Sequence, residues 1–168
     1  MQSQPLADYK DKFKLRQVSL CLLVDGGRLL LALKKRSFGK GKWNGIGGKQ
    51  KDGETIEQTA VRETQEEIGV TPTSMRKVAT LNFYFEGDTS DRNWNQQVIV
   101  FIVDRWEGTP SESEEMFPRW FDKNAIPFGS MWDDDAYWLP KVLEGRELTG
   151  YFLFGEDQKM KEHEVLER

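Results

Sequence analysis

Residues 48–70 read GKQKDGETIEQTAVRETQEEIGV, and the carboxylates of Glu63, Glu66 and Glu67 are spaced to share one side of a single helix. Residues three and four apart on a helix are neighbours, so Glu63 faces both of the others. Glu54 lies just ahead of that helix. At an effective dielectric of about 20, two unit charges roughly 6 Å apart repel by about 3 kcal/mol. A bound cation offsets such repulsion, and an all-oxygen ligand set favours Mg²⁺, with Mn²⁺ as a possible substitute, over zinc. The chemistry this permits is metal-assisted hydrolysis. The plain alternative is a solvated acidic face, the commonest use of a Glu-rich helix.

Other catalytic chemistries are thinly provided. The chain has one cysteine, Cys21, inside the apolar run VSLCLLV, and one histidine, His163, in the charged stretch KEHEVLER. Cys21 reads as a small buried hydrophobe and His163 as exposed and idle. A Ser-His-Asp triad, a Cys-His pair and a His-based zinc site all lack their parts. The net charge of -4 gives no electrostatic case for duplex nucleic acid or an anionic membrane, so a nucleotide partner is expected to be a small molecule. Residues 1–13 lack the apolar run of a signal peptide, and no stretch approaches the roughly 18 apolar residues of a membrane span. A soluble, cytoplasmic monomer is the expectation. With 168 residues and 38% hydrophobic content, the chain can bury a core as one domain over residues 1–168.

The acidic helix must be held by the elements around it. Apolar runs at 18–24 and 29–33 flank Asp25-Gly26-Gly27 and predict a strand hairpin. The segment SFGKGKWNGIGGK is too rich in glycine and aromatics for either regular element and reads as a structured loop. Thr55 with Gln58 forms a capping box, so the helix should start near Ile56 and stop at Gly69. Residues 77–85 and 96–103 are rich in β-branched and aromatic side chains and predict core strands, with Trp94 and Asn95 between them. A short strand is expected at 119–121, a turn at 125–127, a helix at 133–144 with a kink at Pro140, and a final strand at 151–154. Intermingled strands and helices predict an α/β fold, a mixed sheet with helices packed on it.

Gly48, Glu54, Arg62, Glu63, Glu66, Glu67 and Gly69 fit G-x5-E-x7-R-E-U-x-E-E-x-G-U, where U is bulky and apolar, and this resembles the box of the Nudix family. Seven fixed positions recur by chance on the order of once in a million chains of this size, which favours the motif over the solvated acidic face. Thr64 departs from the first U; its hydroxyl is expected to bond back to a carbonyl one turn earlier. The resemblance implies the Nudix α/β/α sandwich. It runs from about residue 16 to 155 through LKKRSFGKGKWNGIGGK, GTPSESEEMFPRWF, IPFGSMWDDDAYWLP and GYFLF, leaving 1–15 and 156–168 outside. Over that length the chain is similar to the branch of the family that removes oxidised purine nucleotides from the pool and so avoids DNA damage.

On that resemblance, Glu63, Glu66 and Glu67 are metal ligands, joined by the Gly47 carbonyl and Glu115, with Glu112 and Glu114 on the solvent side. Arg62 is expected to orient a glutamate through a bidentate pair, and Lys34 to lie near a triphosphate. The base pocket is assigned to Ser19, Phe38, Asn44, Phe83, Phe85, Trp132, Asp134 and Asp135. Flat apolar walls with a few directed polar groups suit a purine. Ser19 departs from the expected threonine. Asp133 stands where a proline is expected, adding a third acid. The activity implied is Mg²⁺-dependent hydrolysis of 8-oxo-dGTP and 2-hydroxy-dATP to the monophosphate and pyrophosphate. Two rivals remain: a Nudix hydrolase of another nucleoside-diphosphate-linked substrate, and a non-catalytic nucleotide-binding Nudix module.

Overall fold

After a short 3-10 turn at Leu6–Asp8 the chain enters a hairpin. Strands β1 (Arg16–Asp25) and β2 (Arg28–Lys34) pair antiparallel, with Asp25 opposite Arg28 across the two-residue turn at Gly26-Gly27. Gly26 has φ +59, which glycine adopts without steric cost. This is a computed structural model, and it describes residues 5–10, 12–89 and 92–168; the stretch 1–13, read above for a signal peptide, falls partly outside them.

Alternation along the hairpin divides the core in two. Leu20, Leu22, Leu29 and Leu31 belong to one buried cluster, while Cys21, Leu23, Leu30 and Ala32 belong to another. Successive strand residues point to opposite faces, so both faces of this sheet are covered, which is why its central strands read as unbroken apolar runs. One face carries α1 (Ile56–Ile68) through Ala60 and Ile68. The other carries α2 (Asp135–Leu143) through Trp138, Leu139 and Val142. This is the expected α/β/α sandwich.

Among the described residues nine strands form the sheet, and seven lie in the order β3-β2-β1-β6-β5-β8-β9. Here β3 is Trp43–Asn44, β5 Thr71–Phe85, β6 Gln96–Glu107, β8 Leu148–Phe154 and β9 Met160–Glu167. Off that path, β4 (Ile46–Lys49) pairs with β1 and β7 (Met116–Asp122) with β2. The β1–β6 and β5–β8 pairs are parallel and the others antiparallel, so the sheet is mixed. No described helix is long and apolar enough to cross a membrane.

Two expectations are corrected. The glycine-rich segment before α1 is not all loop, since β3 and β4 lie within it. A Cβ on Gly47 would overlap the Ser19 carbonyl, so the glycines that argued against a strand are what let β4 approach β1. The strand ending at Phe154 is also not the last. β9 pairs along β8 as a largely exposed edge strand whose charged sequence lacks a buried face to betray it. His163 within it is exposed, yet its ring lies 4.1 Å from that of Tyr137.

Candidate active site

Helix α1 begins and ends where its caps dictate. Gln58 N donates to Thr55 Oγ1 at 3.1 Å, and Thr55 N donates to Gln58 Oε1 at 2.9 Å. At the other end Gly69 takes φ +71 and its N–H reaches the Gln65 carbonyl. Thr64 Oγ1 donates to the Ala60 carbonyl at 2.7 Å, so this hydroxyl is satisfied inside the core. The helix thereby holds Arg62, Glu63, Glu66 and Glu67 in a fixed frame.

Arg62 is the hub of that frame. Its Nε and Nη2 grip the two oxygens of Glu54 at 3.1 and 2.6 Å, the expected bidentate pair. Nη1 donates to Glu63 at 2.9 Å and to Glu66 at 3.3 Å, and Nη2 also reaches the Lys49 carbonyl. Hydrogen bonds from Arg62, then from the Lys51 backbone, hold the Glu54 carboxyl down to about 2. Glu63 lies against Gly48, where any Cβ would overlap its carboxyl.

Glu67 is different in kind. It is buried, and its Oε2 has no hydrogen-bond partner among the described residues. Burial, then the charges of Glu63 and Glu115, push its carboxyl up to about 8, against the pull of Lys34 and the Gly47 backbone. Burial also raises Glu63. Glu115 is half exposed and bonds Arg36 at 3.1 Å, while Glu112 pairs with Lys35 and Glu114 lies 3.8 Å from Arg36. Among the described residues no three acidic groups are gathered tightly enough to hold an ion, and Arg62 engages Glu63 and Glu66. An orphaned buried carboxylate oxygen, beside mutually repelling acids, is nevertheless a donor set that fits a divalent cation.

From Gly47 and Gly48 a cavity of about 380 Å³ runs to an aromatic end. Ser19, Lys34, Phe38, Asn44, Phe83, Phe85, Trp132, Asp134 and Asp135 all line it, whereas Glu63, Glu66, Glu67 and Glu115 stand outside its wall. Ser19 is fully buried with its hydroxyl 3.4 Å from the Gly48 carbonyl. Asn44 Oδ1 accepts from Gly45 N at 2.9 Å, which fixes the amide. Phe85 meets Phe38, Trp132 and Trp94 edge-on, at 6.0, 6.5 and 6.2 Å.

Asp134 and Asp135 are buried side by side. Asp134 Oδ2 accepts the Trp138 indole N–H at 2.8 Å, and Asp135 Oδ2 has no partner among the described residues. Burial raises both carboxyls above the ordinary range, and the charge of Asp134 raises Asp135 further. Asp134 occupies the N-cap position of α2 without making a side-chain cap, so capping does not account for it. Asp133 does not join the pair: it is exposed and accepts from Met160 N at 3.0 Å, tying α2 to β9.

Among the lining residues that escaped the sequence reading are three aromatic ones, Trp94, Trp138 and Phe154. Trp138 had a signal, because an indole donor four residues after an acid on a helix faces it. Trp94 and Phe154 had none beyond their type.

This sandwich, with a carboxylate helix beside an aromatic-walled cavity, is the frame of a hydrolase, and the chain belongs to the Nudix family: the NUDIX domain model matches residues 14–142. It is 45% identical over 153 residues to an oxidized purine nucleoside triphosphate hydrolase of Danio rerio, covering 91% of this chain and 96% of that one. A Mus musculus protein of the same description is 41% identical, covering 90% and 95%. The crystal structure of a mutator MutT protein from Bacillus halodurans superposes with a TM-score of 0.79 at 27% identity, covering 90% of this chain and 97% of that one.

Proposed function

We propose that this chain hydrolyses oxidised purine (deoxy)nucleoside triphosphates, 8-oxo-dGTP and 2-hydroxy-dATP among them, to the monophosphate and pyrophosphate with Mg²⁺ as cofactor. The observation that carries the reading is the buried Asp134–Asp135 pair at the aromatic end of the cavity. Oxidation of guanine at C8 turns N7 from an acceptor into an N–H donor. A carboxylate on that edge gains a hydrogen bond only with the damaged base. With one of two adjacent acids kept protonated, the pair offers a donor and an acceptor together. Moving that proton between them suits an oxidised guanine or an oxidised adenine.

The purine stacks against Phe38 and Trp132, and Asn44 offers a donor and an acceptor on one fixed amide. Lys34, also on the cavity wall, faces the phosphates. Glu63, Glu66, Glu67, Glu115 and the Gly47 carbonyl would hold the divalent cation. When bound, the cation polarises phosphoryl oxygens and lowers the pKa of water. Arg62 keeps Glu63 and Glu66 in position, and a carboxylate of this group takes the proton of the attacking water. The names of the zebrafish and mouse relatives support the same substrate class. A pyrophosphate-release screen with Mg²⁺ across normal and oxidised triphosphates, dinucleotide polyphosphates and nucleotide sugars is the test. Preferential turnover of oxidised purine triphosphates is expected; equal or greater turnover of another class would overturn the reading.

A further inference from the structure

We propose that Trp94 is a positioning residue, holding Phe38 as the outer wall of the cavity and so setting the affinity for the purine. The inference rests on the reading of that cavity as a purine site. Phe38 is 37% exposed and sits between two tryptophans. Its ring lies 5.6 Å from Trp94 at an interplanar angle of 22°, and 5.2 Å from Trp132 at 34°. Beyond these, its ring contact among the described residues is the edge-on one with Phe85.

The two sides of the Trp94–Phe38 contact differ in how they are built. Phe38 belongs to a turn with positive φ at Ser37, Gly39 and Gly41, closed by the backbone bonds of Lys40 N to the Ser37 carbonyl and Gly41 N to the Lys34 carbonyl. These bonds hold the backbone, and the position of the half-exposed ring is set by the aromatic side chains around it. Trp94 is pinned. Asp88 accepts from Trp94 N and Asn95 N, each at 2.9 Å, and the buried Asn95 accepts from Phe85 N at 2.7 Å. The Arg92 guanidinium lies 4.9 Å from the Trp94 ring centre. Asp88 and Asn95 thus hold Trp94 at the entry to β6, and Trp94 in turn gives the half-exposed Phe38 ring a flat face to rest on. A stacked aromatic pair is worth about 0.5–1.5 kcal/mol beyond its burial, enough to bias where Phe38 sits. A wall already in place spares the base the cost of ordering it.

The test measures binding of the product 8-oxo-dGMP by calorimetry, and kcat and KM for 8-oxo-dGTP with Mg²⁺. Trp94→Leu keeps apolar bulk but cannot stack flat, and should raise Kd and KM about tenfold while kcat stays within twofold. Trp94→Phe should restore both to within about threefold. In a Phe38→Ala background, Trp94→Leu should add less than twofold, because the wall it positions is gone. Asp88→Asn, which loosens the hold on Trp94 and leaves the cavity lining intact, should raise Kd severalfold and gives a second reading should Trp94→Leu not fold. An unchanged Kd in Trp94→Leu, a fall in kcat without a rise in KM, or an undiminished effect in the Phe38→Ala background would overturn the proposal. If the unsubstituted protein bound no oxidised purine nucleotide, the functional reading would fail and take this one with it.

Discussion

Asp134 and Trp138 stand one turn apart on α2, and the indole Nε1 donates to Asp134 Oδ2 at 2.8 Å inside the core. This bond fixes the Asp134 carboxyl and favours its ionised form, opposing the burial that raises it. Trp138→Phe removes the donor and keeps a ring. The acidic limb of the kcat/KM profile should therefore move to higher pH. Stability should fall by about 1–3 kcal/mol, the cost of an unsatisfied buried acceptor. A profile that did not move would show that Asp134 has no part in base binding.

The pair also links stability to pH. The Asp134 carboxyl is raised from 3.8 to about 6, and Asp135 is raised as well, so the folded chain binds these protons more tightly than the unfolded chain. Stability from this source is fully present below the unfolded value and is lost as pH rises through the folded one. Asp134→Asn stays neutral throughout. Its Tm relative to the parent should accordingly be more favourable at about pH 8 than at about pH 5. Parallel Tm curves for the two proteins would contradict this.

Glu67→Gln should lower kcat by a hundredfold or more, on the order of 3 kcal/mol in the barrier, with the fold kept. Mg²⁺ should raise the Tm of the parent, because it binds the native site, and raise that of the variant much less. Near-normal turnover in the variant would remove Glu67 from the chemistry.

Neighbouring glycines separate fold from site. A Cβ on Gly48 would meet the side-chain carboxyl of Glu63, whereas one on Gly47 would meet the Ser19 backbone. Gly48→Ala should cut turnover at least tenfold with a small change in Tm, and Gly47→Ala should lower Tm by forcing β4 from β1. Circular dichroism melts beside initial rates distinguish the two; similar losses of Tm in both would contradict the assignment.

Much of this was legible in the residues. The capping box, Gly69 and the carboxylate spacing located α1 to the residue, because capping and helix periodicity are local rules. The residues gathered on the cavity wall were legible only through resemblance, since the cavity is assembled from β1, β2, β5, α2 and loops far apart in sequence. β4 was hidden because its glycines answer to the Ser19 backbone, which no local pattern reveals. β9 was hidden because its stability comes from backbone pairing and surface ion pairs such as Lys141 with Glu167 at 2.9 Å rather than from apolar burial. Trp94 owes its place to Asp88 and Asn95, whose roles appear only in the folded turn.

On the proposed function, Asp134 and Asp135 read the damaged edge of the purine. The most direct test is kcat/KM for 8-oxo-dGTP, 2-hydroxy-dATP and dGTP in the parent, Asp134→Asn and Asp135→Asn, across about pH 6 to 9. Losses of tenfold or more are expected on the oxidised substrates, unequal between the two and changing with pH, while the low rate on dGTP moves little. Unchanged selectivity together with an unchanged pH profile in both variants would contradict it.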